Sequence, residues 1–156
     1  MKISLIWPAS SSEKDFADAL ERYLKRIRHF YPIDVIEVPA ERGRQSQSDV
    51  ATMRSQSSRL VAAIPARGTV VVLDERGQVL DSLKFARWLE RLTMDSPHGI
   101  HFVVGGDLGI DDSVRERADK VLSLSAMTLP HQLARVVLLE QIYRACTLMR
   151  NIRYHK

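Results

Sequence analysis

The segment HFVVGGDLGIDD, residues 101–112, carries a run of β-branched and aromatic residues that stops at the pair Gly105-Gly106. The run predicts a buried strand, and the glycines mark its end. Parallel α/β sheets bind ligands at the carboxyl ends of their strands. Glycine adopts backbone angles that are closed to other residues and lets a ligand approach the main chain. The segment therefore predicts a binding loop, although a simple tight turn would leave the same pattern.

Strand-like and helix-like segments alternate on both sides of this loop. Five strands are predicted, at residues 2–7, 33–38, 69–74, 100–104 and 120–124. Helices are predicted at residues 13–29, 82–94, 112–119 and 130–150, and a further helix follows the polar stretch and ends near Pro65. The first has a Ser12-x-x-Asp15 capping box, and Ser82 is the predicted cap of the helix at residues 82–94. Residues 39–58 are interpreted as a mobile loop and residues 75–78 as a turn. The alternation predicts a single α/β domain over residues 1–156, with a largely parallel sheet of five to six strands flanked by helices.

Composition narrows the function classes. The apolar start MKISLIWP is too short for a signal sequence, and no later run approaches the length of a membrane span, so a cytoplasmic protein without membrane contact is expected. The lone Cys146 provides neither a disulfide nor a cysteine-rich metal cluster, and no metal is expected. The first strand runs into Trp7-Pro8-Ala9 without the glycines of a dinucleotide fingerprint, which argues against a Rossmann dehydrogenase.

A second unusual segment is LSLSAMTLPHQLARVVLLEQIYRA, residues 122–145. The stretch 124–129 is too apolar for an ordinary surface loop, and a buried loop needs partners for its backbone groups, which an adenine ring can supply. The helix after Pro130 is apolar on most faces, more than one sheet face would cover. A homodimer would bury the surplus, and one large core is the alternative.

The positive charge of the chain is concentrated near its end. Residues 130–156 hold five basic residues and one acid, whereas the other 129 residues hold eighteen of each sign. Together with Tyr143, Tyr154 and His155, these charges are typical of RNA contact, although a solvated helix end and frayed tail would look the same.

Three motifs, VVGGDLG, LSLSAMTLPHQLARVVLLEQIYRA and the terminal YHK, closely resemble the RlmH family of SPOUT-class enzymes. The resemblance covers essentially the whole chain. It implies a C-terminal trefoil knot, a homodimer, and S-adenosylmethionine-dependent methylation of N3 of a pseudouridine in 23S ribosomal RNA. The cofactor contacts that it implies are Leu73, Gly105, Gly106, Leu124, Ser125, Ala126, Met127, Thr128 and Leu129. Family members often carry a Val-Gly-Lys type sequence where this chain has Trp7-Pro8-Ala9, so the first loop is left out of the predicted site.

The chemistry of methyl transfer suggests which other residues take part. The sulfonium methyl is already activated, so the enzyme mainly aligns the reactants, and the imide proton of the target must leave. Arg144, Tyr154 and His155 are the predicted catalytic residues, although Arg144 could simply pair with Glu140 one helical turn away. His131 is interpreted with equal weight as a structural cap or a substrate contact.

Two other functions fit the same residues. One is a SPOUT methyltransferase for another RNA, such as transfer RNA. The other is an RNA-binding dimer without catalysis. A compact chain with no appended RNA-binding domain favours a large folded partner, the ribosome, over a small free RNA.

Overall fold

The computed structural model describes residues 1–9, 16–40 and 48–154. In chain order its elements are β1 (Ile3–Pro8), α1 (Ala17–Arg28), β2 (Ile33–Val38), α2 (Asp49–Ala63), β3 (Thr69–Val79), α3 (Ser82–Asp95), β4 (Ile100–Val103), α4 (Asp112–Glu116), β5 (Lys120–Ser123) and α5 (His131–Met149). The strands form one parallel sheet in the order β2-β1-β4-β3-β5. The predicted fold class is confirmed, and the knot stays a prediction.

Helices cover both faces of the sheet. Alternate strand residues such as Leu5 and Phe102 pack in one apolar cluster with α1, α3 and α5. Their neighbours Ile6 and Val103 point to the other face and pack with residues of α2 and α4. The two-residue period of a strand explains why each strand contributes to both clusters. No helix within the described ranges is long and apolar enough to cross a bilayer.

Several predicted boundaries were wrong for local reasons. Helix α2 begins at Asp49, inside the predicted mobile loop, because Ser48 caps it by accepting a 3.2 Å hydrogen bond from the Ala51 N–H. Its buried side includes polar residues such as Gln56, so the apolar period was weak. Asp81, not Ser82, caps α3 by accepting from the Lys84 N–H at 2.7 Å. The predicted cap residues Ser12 and Asp15 lie outside the described residues, and α4 ends at Glu116 rather than at residue 119.

The prediction that the third strand ends at a turn over residues 75–78 was wrong, because β3 continues through those residues to Val79. Leu73 and Gln78 are both registered with Leu122 on β5, so residues 74–77 bulge out of the ladder. A Cβ at Gly77 would lie 2.5 Å from the Leu122 carbonyl carbon, so no larger residue fits there. The bulge places the residues after Leu73 at the carboxyl edge of the sheet.

Candidate functional site

A cleft with a volume of about 980 Å³ opens at the carboxyl ends of β3, β4 and β5. Its size is in the range of small-molecule sites. Its walls come from the end of β3, the loop between β4 and α4, and the loop between β5 and α5. Eight of the nine predicted cofactor contacts line it: Leu73, Gly105, Gly106, Leu124, Ser125, Met127, Thr128 and Leu129. The ninth, Ala126, is not among the lining residues.

The glycine loop is shaped differently from the expectation. Gly109, not Gly105 or Gly106, has a positive φ, of 76°. Its N–H donates to the Gly106 carbonyl at 3.0 Å, which closes the loop. A Cβ at Gly105 would lie 3.0 Å from the Gly109 carbonyl group and from Ile110. Gly105 is therefore required by the tight packing of the loop on itself, and its backbone remains free of a side chain at the cleft.

The prediction that residues 124–129 form a buried loop was wrong for the single chain. Met127 is 78% exposed, and Ala126 and Thr128 are also exposed. The Ser125 side chain satisfies part of the backbone locally, because its Oγ accepts from the Met127 N–H at 2.9 Å. The Ser125 carbonyl accepts from the Ser123 hydroxyl at 2.9 Å. The loop thus has an exposed apolar face along the cleft that a ligand ring could cover.

Asp74, at the start of the β3 bulge, accepts hydrogen bonds through both carboxylate oxygens. Its Oδ1 accepts from the Arg76 N–H at 2.9 Å, and its Oδ2 accepts from Nε of Arg115 at 2.8 Å. Burial acts to raise the pKa of Asp74, but these two hydrogen bonds and the positive charges of Arg115 and Arg76 outweigh it and hold the pKa below its ordinary value. The carboxylate is therefore ionised at neutral pH.

His131 links the glycine loop to the start of α5. Its Nδ1 lies 2.6 Å from Oδ1 of Asp107, and both residues line the cleft. The Asp107 side chain is 83% exposed, whereas that of His131 is 17% exposed. The structure thus supports a structural contact for His131 at the mouth of the cleft.

The cleft is acidic although the chain is basic overall. Five carboxylates line it, those of Asp74, Glu75, Asp107, Asp111 and Asp112, against the two arginines Arg76 and Arg115 and the imidazole of His131. The chain as a whole carries a formal charge of +4. A small cation suits such a site better than a polyanion does. Within the described residues no group of three or more His, Cys, Asp or Glu could hold a metal ion.

Two predicted catalytic residues lie together at the other end of α5. Oε1 of Glu140 accepts from Arg144, at 2.5 Å from Nη2 and 3.1 Å from Nε, and from the Tyr154 hydroxyl at 3.2 Å. The Arg144 guanidinium lies 4.9 Å from the centre of the Tyr154 ring. We call Glu140, Arg144 and Tyr154 the Glu140 cluster. The structure contains the pairing of Arg144 with Glu140, which was the alternative to a catalytic role for Arg144.

The electrostatics of the Glu140 cluster fix its protonation. The hydrogen bond to Glu140 and its negative charge raise the pKa of Arg144 above its ordinary value. Burial, the hydrogen bond to Tyr23 and the charge of Glu140 raise the pKa of Tyr154 to about 12. At neutral pH Arg144 is a cation and Tyr154 a neutral phenol, so Tyr154 donates hydrogen bonds and does not act as a base.

The C-terminal segment is ordered as far as it is described. The Ile152 N–H donates to the Thr147 carbonyl at 2.9 Å, and the Tyr154 ring packs edge-on against Tyr143 with 4.8 Å between ring centres. The alternative of a frayed tail is therefore wrong for residues 151–154. The third predicted catalytic residue, His155, lies outside the described residues.

The Glu140 cluster and the cleft are separate within one chain. Neither Arg144 nor Tyr154 is among the residues that line the cleft. His131, at the cleft, and Arg144 lie on the same helix, and at about 1.5 Å per residue they are about 20 Å apart along its axis.

Arg135, one of the basic residues assigned to RNA contact, is buried. It is 2% exposed, its Nη2 donates to the Pro8 carbonyl at 2.8 Å, and its guanidinium lies 5.0 Å from the Trp7 ring centre. It joins α5 to the end of β1 rather than facing RNA. Sequence reasoning also missed Asp74 and Arg115, although a carboxylate directly after Leu73 at a strand end was a signal for Asp74.

Comparisons with known proteins agree with this architecture. A family model described as "Predicted SPOUT methyltransferase" matches residues 1–155. A protein of Gemmatimonas aurantiaca is 44% identical over 156 residues, covering 100% of both chains. One of Syntrophobacter fumaroxidans is 38% identical over 157 residues with the same coverage, and one of Desulfovibrio desulfuricans is 46% identical over 143 residues, covering 88% of this chain and 87% of its own. All three are named "Ribosomal RNA large subunit methyltransferase H". The resemblance seen in the sequence is thus confirmed, and the chain belongs to the SPOUT methyltransferase family.

Proposed function

We propose that this protein is an S-adenosylmethionine-dependent methyltransferase that acts, as a homodimer, on N3 of a pseudouridine in 23S ribosomal RNA. The observation that carries the proposal is the cleft at the carboxyl edge, lined by Leu73, the glycine loop and the loop at residues 124–129, in a chain matched by the family over residues 1–155. The names of the relatives supply the large-subunit RNA as substrate. The proposal treats residues 1–156 as one catalytic domain.

The residues of the cleft fit this cofactor. Leu124, Met127 and Leu129 provide apolar surface for an adenine ring, and the side-chain-free glycine loop provides backbone groups. The excess of carboxylates over cationic side chains along the cleft suits a molecule that carries a sulfonium and an ammonium group. When bound, S-adenosylmethionine supplies an activated methyl group, and no metal is needed for the transfer.

The Glu140 cluster has the properties needed to stabilise the target nitrogen. An imide loses its proton more easily when a cation and a hydrogen-bond donor face the developing anion. Arg144 supplies the cation, since a guanidinium stays protonated at neutral pH, and Tyr154 supplies a hydroxyl that stays protonated. Tyr154 can also stack on a base. His155 is proposed as the group that takes up the proton, on the strength of its residue type and its place beside Tyr154.

The distance between the cleft and the Glu140 cluster supports a dimeric site. The cleft end of α5 and the Glu140 cluster are about 20 Å apart along one helix, so they cannot both contact the same methyl group during its transfer. A second copy, packed through α5, would bring the cluster of one protomer to the cleft of the other. The half-buried apolar side chains of Leu133, Val136 and Val137 on α5 are available for such an interface.

The proposal is tested by incubating the purified protein with labelled S-adenosylmethionine and large ribosomal subunits from a strain that lacks the gene. Mass mapping of the RNA should locate one new methyl group on a pseudouridine and place it on the base. Methylation of transfer RNA in a parallel reaction, with no methylation of the subunits, would move the protein to a different substrate. Binding of ribosomes without methyl transfer would leave an RNA-binding dimer.

A further inference from the structure

Asp74 joins two parts of the cleft wall that are distant in sequence. Through Oδ1 it holds the Arg76 N–H and thereby the bulge at residues 74–77, and through Oδ2 it holds Arg115 on α4. The side chain of Asp74 is 4% exposed and that of Arg115 is 26% exposed. Nη1 of Arg115 also donates to Asp112 at 2.9 Å, so the guanidinium is fixed from two directions.

The same bulge also adjoins the end of β3 and the residues just before the loop at residues 124–129. Leu73 precedes Asp74 directly, and Gly77 packs against the backbone of Leu122 and Ser123, just before the loop at residues 124–129. A displacement of the bulge would therefore move the end of β3 and the start of that loop together. Because both carboxylate oxygens of Asp74 accept hydrogen bonds and its side chain is 4% exposed, Asp74 is suited to holding this geometry more than to binding a ligand.

We propose that Asp74 and Arg115 are positioning residues that pre-form the cleft, by fixing the bulge at residues 74–77 and helix α4 relative to each other before a ligand binds. The inference relies on the proposed function only for the identity of the ligand. The pair is largely buried, and removing one partner of a buried, hydrogen-bonded pair leaves the other without its compensating charge.

Calorimetric titration with S-adenosylmethionine tests the ligand side of the inference. Asp74→Asn keeps an oxygen for the Arg76 N–H but presents an NH2 group or a neutral oxygen to Arg115, so we expect binding about tenfold weaker or more. Arg115→Gln should give the same loss, and Arg115→Lys a smaller one, because it keeps the charge without the planar geometry. The double variant Asp74→Asn, Arg115→Gln should bind the cofactor no more weakly than the single variant with the lower affinity.

Asp34→Asn is the matched control. It removes the carboxylate of an exposed 2.9 Å pair with Lys2 at the amino edge of the sheet, far from the cleft, and should leave cofactor affinity unchanged. Equal losses in Asp34→Asn and Asp74→Asn would overturn the inference, and so would wild-type affinity in Asp74→Asn.

Hydrogen exchange on the ligand-free protein separates this inference from the proposed function. Asp74→Asn should speed exchange at residues 74–77 and 112–116 and leave β1 and β2 unchanged. Unchanged exchange at both segments, or a uniform rise across the sheet, would overturn the positioning role. If the wild-type protein fails to bind S-adenosylmethionine, the proposed function fails, and the exchange result still decides whether Asp74 and Arg115 fix the cleft.

Discussion

The cleft and the Glu140 cluster are built in opposite ways. The cleft is made of loops and strand ends, with exposed apolar side chains such as Met127 and an open mouth. The Glu140 cluster consists of side chains that already bind one another: Glu140 accepts from both Arg144 and Tyr154. One region is shaped to receive a small molecule, and the other is ordered without one.

This difference indicates that the cleft and the Glu140 cluster have separate roles in the proposed reaction. A site that must admit and release a ligand needs uncovered surface, whereas groups that stabilise a developing charge need fixed positions before the reaction starts. Helix α5 connects the two regions, with His131 at the cleft and Arg144 in the cluster. Changes at either end should therefore affect different kinetic quantities, and the following predictions test that separation.

Loss of the C-terminal end should have the largest effect. Deleting residues 154–156 removes the Tyr154 hydroxyl and ring from the cluster, and we expect turnover to fall by about 100-fold or more, the usual scale for a positioned proton donor or acceptor. Affinity for S-adenosylmethionine should change little because Tyr154 does not line the cleft. Rates of methyl transfer to ribosomal subunits, measured beside calorimetry, check both statements.

The single variants Tyr154→Phe and His155→Ala divide this effect between the two residues. Near-normal methylation by the truncated protein would remove the segment from the reaction.

Gly105→Val should affect cofactor affinity rather than turnover, the reverse of the truncation. Its Cβ would meet the Gly109 carbonyl and Ile110 at 3.0 Å, so the loop must shift, and we expect cofactor affinity to fall by about tenfold. Gly106→Ala, at the neighbouring predicted cofactor contact, should cost less affinity, because its Cβ would lie 3.3 Å from Cγ of Pro8, a side-chain atom at the edge of a ring. Calorimetry on the folded variants measures both losses, and wild-type affinity in the Gly105→Val protein would remove Gly105 from the site.

The pH dependence of stability should reveal the environment of Tyr154. Because burial raises its pKa from 10.0 to about 12, the folded protein holds a proton that the unfolded chain loses in that interval. The stabilisation is complete below pH 10 and is lost as the pH rises through 12. Tyr154→Phe should show a shallower fall in the free energy of unfolding over the same interval, measured by urea denaturation. Identical slopes would contradict the buried phenol.

The smallest effect is expected at the mouth of the cleft. Asp107→Asn weakens the 2.6 Å contact with His131, but the Asp107 side chain is 83% exposed, and such pairs contribute at most about 1 kcal/mol. We expect less than about a fivefold change in cofactor affinity and no change in turnover at saturating cofactor. A loss as large as that of Gly105→Val would mean that Asp107 contacts the ligand directly.

The layout of the fold could be read from the sequence because strands alternate with helices and the strand interiors are apolar on both faces. The cleft was also predictable in position, since Gly105 and Leu73 stand at strand ends. The contacts that hold it were less accessible. The link from Asp74 to Arg115 joins residues 41 positions apart, and the loop around the exposed residues 126–128 satisfies the Met127 N–H locally through Ser125 rather than through burial.

The separation of Arg144 from the cleft could not be predicted either. Arg144 and the cleft loop at residues 124–129 belong to one continuous motif in the sequence, and the length of α5 is what separates them in space.

The central claim is that the cleft of one protomer works with the Glu140 cluster of another. Mixing the Gly105→Val protein with the protein lacking residues 154–156 tests it most directly once subunits have exchanged, at a cofactor concentration far below the Kd of the Gly105→Val protein so that each protein has little activity alone. Random pairing puts half of the chains in mixed dimers, and each mixed dimer would contain one intact cleft facing one intact cluster. The account predicts recovery of about a quarter of the wild-type methylation rate. No recovery, despite mass-spectrometric proof that mixed dimers have formed, would contradict it.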